Sequence, residues 1–323
     1  MAVLTTKRRA VGYEPNPVLV KELRARFRGP RAFTALTAFL IVLTGFAWFA
    51  YSAAVQAYGY SSMAGAGLQA GSQIGRGILM LVLVVEAMFL AFIAPALTAD
   101  SISGEIERQT WELLRATPLS GWSILVGKVG AAFGYVLLLA FSALPVMSLA
   151  FLFGGAGLSG VLLVQLSMIS AGLLYLAIGA FCSSLARRTG RATVLSYGIV
   201  GLLLILPFAL PTLVELVMLH SADLDWWKSP RWWALAVAVS PPLEAYLRFA
   251  DEAPFADPMV TELVAIAGVV FRLVLSALLL LVAGGRIRGL GWQAQAALIM
   301  LVAVMLFWLY GMGHIAASFG GIP

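Results

Sequence analysis

The chain has 323 residues, of which 61% are hydrophobic and only 11% charged, with a formal net charge of +6. Its mean hydropathy is +0.95. A soluble domain could not shield that much apolar surface from water, and continuous apolar runs exclude the alternating pattern of a β-barrel, so the composition predicts a polytopic α-helical membrane protein.

The N-terminal arm, residues 1–31, is polar and basic, and its first apolar run begins too late for a secretory signal. Within it, "NPVLVKELRARFRG" reads as an amphipathic helix. Val18, Leu19, Leu23 and Phe27 fall on one side, and Lys21, Arg24, Arg26 and Arg28 on the other. Such a helix should lie along the inner membrane surface, where basic side chains meet anionic headgroups. A plain topology anchor would look the same. Nucleic acid is the less apt partner for a basic stretch beside a span.

Apolar runs follow at about 33–55, 76–98, 128–153, 159–186, 193–218, 260–284 and 292–318, each long enough to span at roughly 20 residues. An eighth stretch, 232–247, is short and interrupted by Pro241 and Pro242, which suits a re-entrant or interfacial piece. Sixteen of the 21 basic residues fall in the arm and in the connections after the second, fourth and sixth runs. Basic residues stay inside, so the N-terminus is expected in the cytoplasm and, with seven spans, the C-terminus outside.

Between the second and third runs lies "SISGEIERQTWELLRATPLSGWSILVGK", residues 101–128. Ser101 or Ser103 can cap a helix whose first turn carries Glu105. Glu105, Arg108, Glu112 and Arg115 then share one face, and Ile106, Thr110, Leu113 and Leu114 another. Thr117-Pro118 stops the helix. Two readings are open for this amphipathic element at about 101–117. It is a connector, or it transmits force from a cytoplasmic partner to the spans.

The stretch "SGEIERQTWELLRATPLS", with Lys128 after it, resembles the signature that follows the second span in type-2 ABC transporter permeases. "NPVLVKELRARFRGPRAF" resembles that family's entry helix, and "SSLARRTGRATVLSYG" its fourth-to-fifth loop. The resemblance implies six core spans, an elbow helix on the cytoplasmic surface and a coupling helix seated in a nucleotide-binding subunit. Ser103, Glu105, Glu107, Thr110, Glu112, Leu113, Leu114 and Pro118 would belong to that coupling element. A re-entrant region would fall at about 215–259. Two permease protomers, identical or different, would join two ATPase subunits and usually export. ATP and magnesium would be held by the ATPase, with no cofactor on this chain. A multi-pass position in the cell's inner (plasma) membrane follows. The seventh run, 292–318, departs from the pattern.

No G-x-x-x-x-G-K-[ST] loop occurs, and His220 and His314 form no zinc motif, so neither ATP hydrolysis nor metal catalysis is expected of the chain itself. Cys182 is the single cysteine and reads as a small buried hydrophobe. Glu86 and Arg272 lie deep within spans, which suggests that they pair. Two competing classes stand beside the permease. A secondary transporter would need matched repeats, and none is seen; a membrane sensor or scaffold would need no lined path. Phe89, Phe92, Tyr197 and Phe208 are candidates to line one, although helix packing accounts for them as well.

Overall fold

The computed structural model describes residues 16–58, 67–116, 119–217, 236–249, 258–287 and 303. The described residues of the arm form α1, Pro17–Phe27. Asn16 accepts the Val18 N–H at 3.0 Å, Pro17 opens the first turn, and Arg24 and Arg26 sit in the last turn, where cations offset the helix dipole. Then come α2 (Pro30–Tyr58), α3 (Gly67–Thr98), two single turns α4 (Ser103–Glu107) and α5 (Trp111–Arg115), α6 (Gly121–Leu152), α7 (Leu158–Leu185) and α8 (Thr189–Val217). A short helical turn at 236–239 leads into α9 (Pro241–Phe249), and α10 spans Pro258–Ile287. The described residues contain no strand.

Six of these helices, α2, α3, α6, α7, α8 and α10, are long and apolar enough to cross a membrane. They match the first six apolar runs. The run at 292–318, apart from Ala303, lies outside the described residues, as do residues 218–235 and 250–257. Nine-residue α9 is about 14 Å long at 1.5 Å per residue, far short of a span. Pro241 and Pro242 form its first turn, where a missing N–H costs nothing. The preceding Ser240 N–H donates to the Ala236 carbonyl at 2.9 Å, closing the turn before it.

The bundle is organised around α7, which packs against α10, α3, α6 and α8. Lipid offers no hydrophobic drive for helices to associate, so close approach through small residues must supply the contact. Gly172 of α7 lies against Val136 and Leu90, and Gly179 against Pro95 and Thr98. The Thr98 hydroxyl reaches across to donate to the Leu176 carbonyl at 2.9 Å. The spans α2 and α8 are the least buried of the six.

The apolar side of α1 packs on α6, over a strip opened by Gly127, Gly130 and Gly134. A Cβ on Gly127 would come within 2.8 Å of Val18 Cβ. Phe27 packs on Tyr135 with ring centroids 6.2 Å apart. Asn16 Nδ2 donates to the Ser123 carbonyl at 2.7 Å, and Arg26 Nη2 to the Leu97 carbonyl at 2.9 Å. The three glycines recur at i, i+3 and i+7, so the groove was legible in the sequence.

Candidate functional site at the α3–α6 connection

The single helix expected at about 101–117 is two short ones. The backbone turns over at Gln109, whose φ is +57°, a left-handed conformation uncommon outside glycine. The Thr110 N–H donates to the Glu105 carbonyl at 3.0 Å and the Gln109 N–H to Ile106 at 3.1 Å, the hydrogen-bond pair that closes a helix C-terminus. Thr110 Oγ1 adds a hydrogen bond to the Glu105 carboxylate. A polar side chain that satisfies the end of α4 locally competes with its continuation. Glu105 thus lies in α4 with Arg108 as its C-cap, Glu112 and Arg115 lie in α5, and the four do not belong to one continuous helix.

The start of α4 is also built differently from the expectation. Ser103 does not cap it. The N-cap is Ile102, without a side-chain bond, and the cap comes from another helix. Ser183 Oγ, near the end of α7, accepts the N–H groups of Ile102 at 2.9 Å and Ser103 at 3.0 Å. Ser103 is fully buried, and its hydroxyl donates to Ala99 at 2.9 Å and lies 3.2 Å from Ser183 Oγ.

The two carboxylates of α4 are fastened as well. Lys128 Nζ of α6 donates to Glu105 Oε1 at 2.8 Å and lies 3.7 Å from Glu22 Oε1 of α1. Thr189 Oγ1, the first residue of α8, donates to Glu107 Oε2. Three side chains of one short helix therefore reach three different spans: Ser103 reaches α7, Glu105 reaches α6, and Glu107 reaches α8. On α5 the arrangement reverses. Glu112 is exposed, and Leu113 is 71% exposed despite being a large hydrophobe. Pro118 and the side chain of Leu114 lie outside the described residues.

These contacts gather the basic connections at one end of the bundle. Arg26 of α1 holds Leu97 at the end of α3, α4 holds the α7–α8 turn, and Gly121 at the start of α6 meets Ile287 at the end of α10. At the other end, Gly75 of α3 lies against Gly155 of the α6–α7 turn.

A family model described as "ABC-2 family transporter protein" matches residues 17–284, from the first residue of α1 nearly to the end of α10. The chain belongs to that family. It is a membrane permease component of an ABC transporter. No curated protein matches the chain.

Within the spans of this permease, Glu86 and Arg272 are both fully buried, but they do not form the expected pair. Arg272 Nη2 donates to Glu244 Oε2 of α9 at 3.0 Å and to Ser167 Oγ of α7 at 2.6 Å. Its Nε donates to Ser170 Oγ at 2.9 Å, and its Nη1 to the carbonyls of Val237 at 3.0 Å and Ala238 at 3.2 Å. Glu86 Oε1 instead accepts from Gln165 Nε2 at 2.9 Å, which also donates to the Ala140 carbonyl. A buried guanidinium needs several acceptors at once, and the 236–249 segment brings two carbonyls and a carboxylate together. Sequence reading passed over Glu244 because it lies in a stretch too short and too broken to be counted among the spans.

The four aromatic residues divide. Phe92 is 61% exposed and Phe208 47%, on α3 and α8. Tyr197 of α8 packs beside Phe92, with centroids 6.3 Å apart, and donates its hydroxyl to the Phe92 carbonyl at 2.7 Å. Phe89 turns away from them and packs edge-on to buried Phe39 of α2 at 5.0 Å. It belongs to the α2–α3 packing, not to an open face.

Proposed function

We propose that this permease is the transmembrane half of an ATP-driven exporter, and that α4 and α5 form the element through which a separate cytoplasmic ATPase moves the spans. The observation that carries the reading is the division of labour between the two turns. The side chains of α4 are bonded to α6, α7 and α8, so a push on it is shared among three spans. The side chains of Glu112 and Leu113 on α5 are exposed and free to meet a partner. An exposed leucine beside an exposed carboxylate is the composition of a docking anchor with a polar rim. A mere connector has no need to be fastened at three points.

The basic end of the bundle would then be cytoplasmic and α1 the elbow helix beside it. The 236–249 segment would be the re-entrant piece at the opposite side. ATP and magnesium would be bound by two ATPase copies, in an assembly with a second permease protomer in the inner membrane. The exposed apolar faces of α3 and α8, with Phe92, Tyr197 and Phe208, are the surfaces available to line a path for a hydrophobic or amphipathic substrate.

This assignment keeps the docking role on Glu112 and Leu113 and withdraws it from Glu105 and Glu107. Leu113→Asp should reduce co-purification of the ATPase about tenfold or more, because a buried anchor costs that much when lost. Glu105→Gln with Glu107→Gln should leave co-purification near wild type and lower substrate flux per ATP hydrolysed in proteoliposomes. Loss of ATPase binding in the double glutamine variant, with normal binding in Leu113→Asp, would reverse the assignment.

A further inference from the structure

Beside the Lys128–Glu105 pair lies a polar cavity of about 140 Å³. It is lined by Glu22 and Arg26 of α1, Asp100 and Ser101 after α3, Glu105 and Arg108 of the α4 segment, and Lys128 of α6. Three carboxylates face three cations. Lys128 is already held by Glu105 at 2.8 Å and Glu22 at 3.7 Å. That leaves Arg26 and Arg108 on the positive side and Asp100 on the negative side.

Two atoms of the lining are buried without a hydrogen-bond partner, Arg26 Nε and Ser101 Oγ. Ser101 is 5% exposed. Burying such groups unpaired costs free energy, and a ligand or water inside the cavity removes the cost. Water alone would satisfy the hydroxyl but makes little use of a guanidinium N–H and a carboxylate presented together. A simple anion would gain Arg26, Arg108 and Ser101 yet meet Asp100, Glu22 and Glu105. A ligand with both a phosphate and a free ammonium matches both signs.

The position fits a headgroup. The apolar run of α3 ends at Thr98 and charged residues resume at Asp100, which marks the level where the chain leaves the ~30 Å hydrocarbon core for the headgroup layer. Leu97, whose carbonyl holds Arg26, is in the last turn of α3, and Asp100 lies two residues past the helix end at Thr98.

We infer that the α1–α3–α6 cavity is a binding site for an aminoalkyl phosphate, taken from the headgroup of an ethanolamine phospholipid. The phosphate meets Arg26 Nε, Arg108 and the Ser101 hydroxyl, and the ammonium meets Asp100. A headgroup seated there would brace α1 against α4, next to the bonds that tie α4 to the spans. The site rests on the cavity and its charges, not on the coupling role proposed above.

Native mass spectrometry of the purified full chain, in mixed micelles of phosphatidylethanolamine, phosphatidylglycerol or phosphatidylcholine, tests the inference without any ATPase. Phosphatidylethanolamine should be retained about tenfold better than the other two, since one lacks the cation and the other carries no ammonium N–H to donate. Asp100→Asn and Arg108→Gln should each cut that retention about tenfold. Both residues are exposed, so thermal unfolding in lipid-free detergent should not move. Millimolar phosphoethanolamine should displace the lipid, which supports headgroup recognition, whereas lipid retention untouched by soluble phosphoethanolamine overturns it. Equal retention of the three lipids, or wild-type retention in both variants, also overturns the site. Displacement by inorganic phosphate as effective as by phosphoethanolamine would mean a plain anion site and refute the ammonium half of the assignment.

Discussion

Replacing Arg272 with leucine strips five hydrogen bonds from the interior and leaves the Glu244 carboxylate, 3% exposed, with the Ser167 hydroxyl at 2.5 Å as its one side-chain partner among the described residues. Breaking a buried pair from one side costs about 3–5 kcal/mol, because the remaining charge is uncompensated. Glu244→Leu should cost a similar amount from the other side, somewhat less because the Val237 and Ala238 carbonyls and two serines still hold the guanidinium. Both changes together remove both charges. What remains is two carbonyls without a donor, at about 1 kcal/mol each, so the double variant should lose only about 2–3 kcal/mol. The single losses then sum to roughly 6–9 kcal/mol, and the coupling between the two residues exceeds about 3 kcal/mol. Equilibrium unfolding in detergent, followed by tryptophan fluorescence, supplies the four corners of the cycle. The same cycle for Arg272 with Glu86 should be additive within about 0.5 kcal/mol, since Glu86 is bonded to Gln165 and not to Arg272. Additive losses for Arg272 and Glu244, or strong coupling of Arg272 to Glu86, would refute the assigned network.

Two further predictions concern the charged connection and its side of the membrane. Gln109→Gly relieves the left-handed backbone at the end of α4 and should raise hydrogen-exchange protection of the Thr110 amide by about 0.5–1 kcal/mol, while Gln109→Val should lower it; equal protection in both variants would mean that the turn is not strained. For orientation, single cysteines at Gln109 and Ser159 in a Cys182→Ala background occupy exposed positions at opposite ends of the bundle. An impermeant thiol reagent applied to intact cells should label Ser159→Cys and spare Gln109→Cys, and the reverse pattern would invert the topology.

The six described spans, their order and the amphipathic arm were fixed by composition and pattern, because crossing a membrane is a local property of about 20 consecutive residues. The family was legible too, in the spacing of residues 103–120 and the lysine at 128. The partner of each polar side chain was not. Glu105 and Glu107 read as surface charges awaiting another protein, yet the fold hands them Lys128 and Thr189. Arg272 and Glu86 suggested each other by depth alone, and the packing of α7 between α3 and α10 gave each a different partner. A buried charge will take whichever acceptor the packed helices present. That choice is made by residues 77 to 105 positions away along the chain as well as by nearer ones, and α7 supplied Ser167, Ser170 and Ser183, serines that look unremarkable in an apolar run. Sequence periodicity specifies which face of a helix is buried. Only the assembled bundle, in which most buried donors find an acceptor within about 3 Å, decides what that face holds.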